Sequence, residues 1–218
     1  MATTKPAFPE WVNRARPMAG VLLAVVPAYL VFLLYAAGSP ETTDVGYSPR
    51  QPVPYSHQLH VGQMGLDCRY CHTTVEDAAF AAVPPTSVCM NCHATIAAEA
   101  ETIQPLRASI ETGKPVPWVR VHDLPDYVYF DHRAHVGRGV ACVSCHGRID
   151  RMEQVYQVKT LSMGWCLDCH RDPAPRLRPA ASVADMNWFP GEDASALGRR
   201  LMKQHGISPS TDCSTCHR

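Results

Sequence analysis

Neither charge is in excess in this chain: 20 Lys and Arg stand against 20 Asp and Glu over 218 residues. A protein that grips nucleic acid through its phosphates carries a basic surplus, so that class of partner is excluded. Aromatic residues make up only 8% of the chain, and Leu, Ile and Phe are thin for a packed side-chain core in one or two domains. Alternating apolar and polar runs are scarce too, and none is longer than Tyr127–Phe130. That argues against a fold built on sheets. Something other than side chains has to fill the interior.

What is abundant suggests the filler. The chain has 10 Cys, 11 His and 19 Pro, and every Cys belongs to a C-x-x-C pair followed at once by His. The five motifs are Cys68-Arg-Tyr-Cys71-His72, Cys89-Met-Asn-Cys92-His93, Cys142-Val-Ser-Cys145-His146, Cys166-Leu-Asp-Cys169-His170 and Cys213-Ser-Thr-Cys216-His217. C-x-x-C-H is the pattern of thioether attachment to the two vinyl groups of haem c, with the adjacent imidazole on the iron. Zinc ribbons and redox dithiols also use C-x-x-C, but neither needs His at the next position. Five such coincidences have a chance on the order of 3 × 10⁻⁷. The expected cofactors are five haem c groups, with His72, His93, His146, His170 and His217 as proximal ligands.

From Met18 to Ala37 the chain runs twenty residues without a charge, which matches the bilayer hydrocarbon at helical rise. Arg14 and Arg16 precede the span, and Glu41 and Asp44 follow it. The positive-inside rule puts residues 1–17 in the cytoplasm, 18–38 across the membrane and the rest outside, in the periplasm. Trp11 and Tyr35 would anchor the interfaces, and Pro27 would kink the helix. Small residues at Ala36–Gly38 resemble a signal-cleavage site. The apolar run is longer than a usual signal h-region, which favours a retained signal-anchor.

Residues 39–54 are rich in Pro and read as a linker to an exported domain, 55–218. A repeat organises that domain. Tyr55-Ser-His57-Gln-Leu-His60-Val leads into the Cys68 motif, and Phe130-Asp-His132-Arg-Ala-His135-Val leads into the Cys142 motif. Each copy is aromatic-x-His-x-x-His-Val followed by two attachment motifs, giving dihaem modules 55–98 and 127–173, with a terminal haem in 205–218. The expected fold is mostly irregular, with short α-helices at each motif, at Thr95–Ser109 and at Ser195–His205. The porphyrins serve as its hydrophobic core.

Six His remain beyond the proximal set: His57, His60, His122, His132, His135 and His205. Six spare imidazoles for five irons favour closed, electron-transferring haems over an open catalytic iron. The F/Y-x-H-x-x-H…C-x-x-C-H pattern resembles the class III cytochromes. In that family the first His caps the haem just downstream and the second caps a neighbour. The resemblance implies His57 on the Cys68/Cys71 haem, His60 on Cys89/Cys92, His132 on Cys142/Cys145 and His135 on Cys166/Cys169. His122 is the first choice for the last haem, with His205, Met163, Met186, Met152 and Met202 as alternatives. Trp118, Tyr127, Tyr129, Trp165 and Trp188 are expected to pack rather than relay electrons.

The five motifs, the anchor, the run Val121-His122-Asp-Leu-Pro-Asp-Tyr-Val-Tyr-Phe130 and the run Leu161-Ser-Met163-Gly-Trp-Cys166-Leu-Asp-Cys169-His170-Arg171 are similar to the pentahaem subunit family of bacterial alternative complex III. That resemblance implies an electron-transfer subunit with no chemistry of its own, inside a respiratory quinol:electron-acceptor oxidoreductase. It would receive electrons from an iron–sulfur subunit, beside integral quinol-binding subunits, and pass them to a monohaem cytochrome c or an oxidase. Two other classes remain open: a free-standing membrane-anchored quinol dehydrogenase, and a multihaem reductase with an open iron.

Overall fold

The computed structural model describes residues 9–38, 44–191 and 193–217. It divides into two compact units, Met1–Thr43 and Asp44–Arg218.

The first unit is one helix, α1 (Glu10–Gly38). Its stretch Trp11–Ala37 has a mean hydropathy of 2.3 and buries nothing within the protein. Leu23 and Leu34 stand about three-quarters exposed, as lipid-facing side chains would. At 1.5 Å per residue this stretch is about 40 Å long, enough to span hydrocarbon with a turn to spare at each end. The helix begins earlier than the apolar run and passes through both Pro17 and Pro27. Residues 1–8 of the expected cytoplasmic tail, and 39–43 of the expected linker, lie outside the described residues.

The second unit contains no strand among its described residues, only isolated bridges at Val128–His217 and Val140–Leu177. Its helices are short: α2 (Cys68–Cys71), α3 (Thr86–His93), α4 (Gln104–Thr112), α5 (His132–Val136), α6 (Cys142–His146), α7 (Met163–Arg171), α8 (Ala194–His205) and α9 (Cys213–Cys216). Local chemistry starts and stops several of them. Asp67, Asp131, Ser162 and Asp193 cap α2, α5, α7 and α8 by accepting from backbone N–H groups of the first turn. Gly113 and Gly206 end α4 and α8 in the left-handed conformation. The regions expected to be helical at Thr95–Ser109 and Ser195–His205 hold α4, with a one-turn lead-in at Glu101–Ile103, and α8.

Side-chain core is scarce. One cluster joins Val53, Ile103, Leu106 and Val116 with Trp118 against it, and another joins Val75, Val136 and Val183. Meanwhile Phe80, Phe189, Ile96 and Met163 are more than half exposed. The second cluster takes Val75 from the first half and Val136 from the second, so the two halves interlock. Residues 44–58 pack as well, despite their linker-like composition. Gly46 and Gln157 exchange backbone hydrogen bonds with each other's neighbourhood (Gly46 N–H to Gln157 O, Gln157 N–H to Tyr47 O), and Gln58 N–H donates to Met152 O. Ser56 Oγ bonds Glu153 at 2.7 Å. A Cβ on Gly62 would collide with the Asp150 carbonyl, so only glycine admits that approach.

Candidate functional site

Each of the five C-x-x-C-H motifs forms or ends a short helix, α2, α3, α6, α7 and α9. Helical spacing puts its two Cys and the following His on one side. All ten Cys are free thiols. Burial raises the thiols of Cys71, Cys89, Cys166 and Cys169, and pushes Cys145 up to about 11. A redox dithiol needs the opposite shift. Cys142 is the exception, lowered because the Cys68 thiol donates to it. Among the described residues, no three His, Cys, Asp or Glu side chains are grouped to hold a bare metal ion, which disfavours a zinc ribbon.

The motifs stand in a continuous file. Cys89 lies near Cys71, Cys68 beside Cys142, Cys145 near Cys169 and Cys166, and Cys166 near Cys216. The spatial order is second, first, third, fourth, fifth. Asn91 Nδ2 also donates to Tyr70 Oη at 3.1 Å, tying the second motif to the first. The Tyr129 N–H donates to Cys216 O at 2.8 Å.

The histidines pair across this file. His60 and His93 have ring centroids 6.1 Å apart, His132 and His146 6.4 Å, and His135 and His170 6.0 Å. With a metal–nitrogen bond of about 2 Å, two imidazoles bound through Nε2 on opposite sides of one iron have centroids roughly 6 Å apart. His57 lies close enough to His72 for that imidazole to disfavour a charge on it. Burial, with His72 and His60 nearby, lowers His57 to about 4. Burial, with four neighbouring imidazoles, lowers His146 to about 3. Both are therefore neutral at physiological pH, as a metal ligand must be.

Ring orientation is fixed by the backbone. His60, His72, His93, His132, His135 and His170 each place Nδ1 on a carbonyl: Ser56 O at 2.8 Å, Ala82 O at 2.9 Å, Ile96 O at 3.0 Å, Ala79 O at 2.8 Å, Asp131 O at 2.7 Å and Ser210 O at 2.6 Å. His217 does the same more loosely, to Tyr127 O at 3.3 Å. A carbonyl can only accept, so Nδ1 carries the proton and Nε2 keeps its lone pair for a metal. Two of these acceptors, Ser56 and Asp131, lie four residues before the His they hold, a spacing visible in the sequence. The remaining acceptors are neither cysteine nor histidine and carry no motif. Sequence reasoning missed them for that reason.

Among the described residues, three buried ring nitrogens have no partner: Nδ1 of His57, Nδ1 of His146 and Nε2 of His122. Orphaned buried imidazoles, thiols filed in pairs and a depleted side-chain core all fit haem c. His122 stands edge-on to His146 at 4.5 Å, and no described contact joins it to His217. His205 is exposed at the end of α8 and uses its carbonyl to accept from Arg138. Met152 is 5% exposed within the packing of residues 56–58. Met186 and Met202 are half-buried. Met163 is exposed at the start of α7, three residues before Cys166, whose thiol lies near Cys216. Trp118 packs on the first cluster and Trp188 lies under Arg178.

Residues 128–218 match the family described as cytochrome c7 and related cytochrome c. This segment is therefore similar to the multihaem cytochromes c. It holds three of the five motifs, and its described residues form the mostly irregular fold of short helices, without strands, set out above. A curated relative, the menaquinone reductase multiheme cytochrome c subunit of Nitratidesulfovibrio vulgaris (strain Hildenborough), is 36% identical over 97 residues. The match covers 44% of this chain and 45% of the relative, so the chain spans under half the length of the protein it matches.

Proposed function

We propose that the chain carries five haem c groups, one on each motif, and conducts electrons along them as a membrane-anchored subunit of a respiratory quinol:electron-acceptor oxidoreductase of the alternative complex III type. The observation that carries this reading is the set of three imidazole pairs 6.0–6.4 Å apart. Each joins a proximal His of one motif to a spare His. The haems supply one-electron redox chemistry; the protein's part is to hold, orient and enclose them. His60, His132 and His135 cap the haems of His93, His146 and His170, and His57 caps that of His72. For the haem of His217, the position of Met163 on α7 supports a thioether cap. His122 lies at the third motif instead.

The continuous file of motifs suits conduction from one end of the domain to the other, and closed irons leave no site for a reductase. Residues 18–38 span the cytoplasmic membrane with Arg14 and Arg16 inside. The haem domain is periplasmic, its modules at 55–98 and 127–173 and its terminal haem at 205–218. Its partners are an iron–sulfur subunit, integral quinol-binding subunits and a monohaem cytochrome c.

The relative's name favours a second reading, in which electrons run from a periplasmic donor towards menaquinone. Affinity purification of the full chain from its native membrane tests both. Co-purification with an iron–sulfur subunit, and haem reduction on adding quinol, supports the first. Reduced haems that are oxidised by menaquinone but not reduced by quinol support the second. Reduction by quinol of the chain purified alone would show a free-standing quinol dehydrogenase.

A further inference from the structure

We propose that His57 and His146 hold the irons they face at higher potential than those faced by His60 with His93 and by His135 with His170. The first- and third-motif sites are then the first two of these four to be reduced. This rests on the haem-ligand reading above.

The four sites differ in what lies behind their imidazoles. At the second motif both rings donate, His93 to Ile96 O and His60 to Ser56 O. At the fourth both donate, His170 to Ser210 O and His135 to Asp131 O. At the first motif His72 donates to Ala82 O, but the buried Nδ1 of His57 has no partner. At the third His132 donates to Ala79 O, but the buried Nδ1 of His146 has none. An imidazole that donates from Nδ1 is a stronger base at Nε2 and stabilises ferric iron, lowering the potential. One that cannot donate does so less. The burial of both unpartnered Nδ1 atoms acts in the same direction, because a ferric site carries more charge than a ferrous one. His122 gives no relief: its ring stands edge-on to His146 and its own Nε2 is unpartnered.

These two sites are also neighbours. Cys68 lies beside Cys142, and the single loop Ala78–Ala82 supplies the acceptors for His72 and His132 and takes the backbone N–H groups of His132 and Arg133. The chain thus sets a matched adjacent pair in the middle of the file, flanked by the more reducing second and fourth sites. Each member takes one electron, ferric to ferrous, so the pair holds two.

Potentiometric titration of the haem-loaded full chain tests this, with dithionite as reductant and ferricyanide as oxidant, followed by electron paramagnetic resonance. His57→Met, His60→Met, His132→Met and His135→Met each convert one cap to a thioether and move one haem out of the bis-imidazole set. The transitions lost in His57→Met and His132→Met should be the upper two of the four, and those lost in His60→Met and His135→Met the lower two. Loss of an upper transition in His60→Met or His135→Met overturns the proposal. If a variant fails to load haem, nuclear magnetic resonance of the stepwise-reduced wild-type chain decides instead. Tyr55 and Phe130 touch the caps of their own modules and assign their signals. Ferric shifts at His57 and His132 should collapse before those at His60 and His135, and the reverse order overturns the proposal. Low-spin bis-imidazole spectra with a reversed order would reject this inference while leaving the ligand reading intact. High-spin spectra would reject both.

Discussion

The two copies of aromatic-x-His-x-x-His agree in one layer of structure and differ in the next. Tyr55 meets His57 edge-on at 4.8 Å and stacks on His60 at 4.4 Å; Phe130 meets His132 at 4.8 Å and stacks on His135 at 4.5 Å. His60 and His135 use the carbonyl four residues back in the same way. What differs is the tertiary partner. His132 reaches Ala79 O in the other half of the domain, while its counterpart His57 reaches nothing. Among the histidines of the C-x-x-C-H motifs the asymmetry reverses, with His72 paired and His146 not. A six-residue pattern reproduces the same ring contacts in both copies. The second layer depends on which half of the chain folds over the other.

The strongest way to break the comparison is to remove an attachment. Cys68→Ala and Cys142→Ala should behave alike, giving degraded or misfolded chain rather than a stable protein one haem short, because the side-chain clusters are too small to hold the fold. Immunoblot and haem stain of membranes measure this, and stable four-haem protein from either variant would contradict it. Next in size is loss of a cap. His60→Ala and His135→Ala should each open one iron, adding high-spin signal and one carbon monoxide site per chain to an otherwise unreactive protein. Their equivalence tests the repeat, and a spectrally silent variant would remove that His from the ligand set.

Acid should then separate the buried imidazoles from exposed ones. His57 is held to about 4 against an ordinary value of 6.5. Its neutral form supports the fold fully above 6.5, and that support is lost as pH falls from 6.5 to about 4. Buried His146 extends the loss to about 3. On the haem-loaded chain the iron competes with the proton for Nε2, so the low-spin band falls only as acid displaces the metal. Thermal midpoints and the low-spin band should decline together across this window, and a flat profile down to pH 4 would contradict the placement of both rings. The smallest effect sharpens the comparison most. Tyr55→Leu and Phe130→Leu should each cost about 1 kcal/mol of stability through the lost ring contacts, with equal values in thermal melts. Clearly unequal costs would show that the two ring stacks do different work.

Much of this was legible in the sequence, for local reasons. Residues three and four apart share a helix side, so the attachment motifs could be read as short helices with Cys, Cys and His together. The thin supply of Leu, Ile and Phe foretold the small clusters around Val53 and Val183. The pairing of His60 with His93 and of His135 with His170 followed the resemblance rather than the spacing. Less legible was whatever depends on long-range approach. Residues 44–54 look like a linker by composition, yet Val53 is core and Gly46 pairs with Gln157, because the partner strip lies a hundred residues away. The carbonyls of Ala79, Ala82 and Ser210 have no signature, since any residue carries one. His122 reads as a cap for the terminal motif from its place in the chain, but tertiary folding sets it against His146.

The most direct test of the account is near-infrared magnetic circular dichroism of the oxidised full chain, combined with pyridine haemochrome quantitation on the same sample. The account predicts one haem c for each of the five motifs. All should be low-spin, four with the charge-transfer signature of paired imidazoles and the fifth with that of an imidazole–thioether pair. Fewer than four haems per chain, or substantial high-spin iron in the untouched protein, would contradict it.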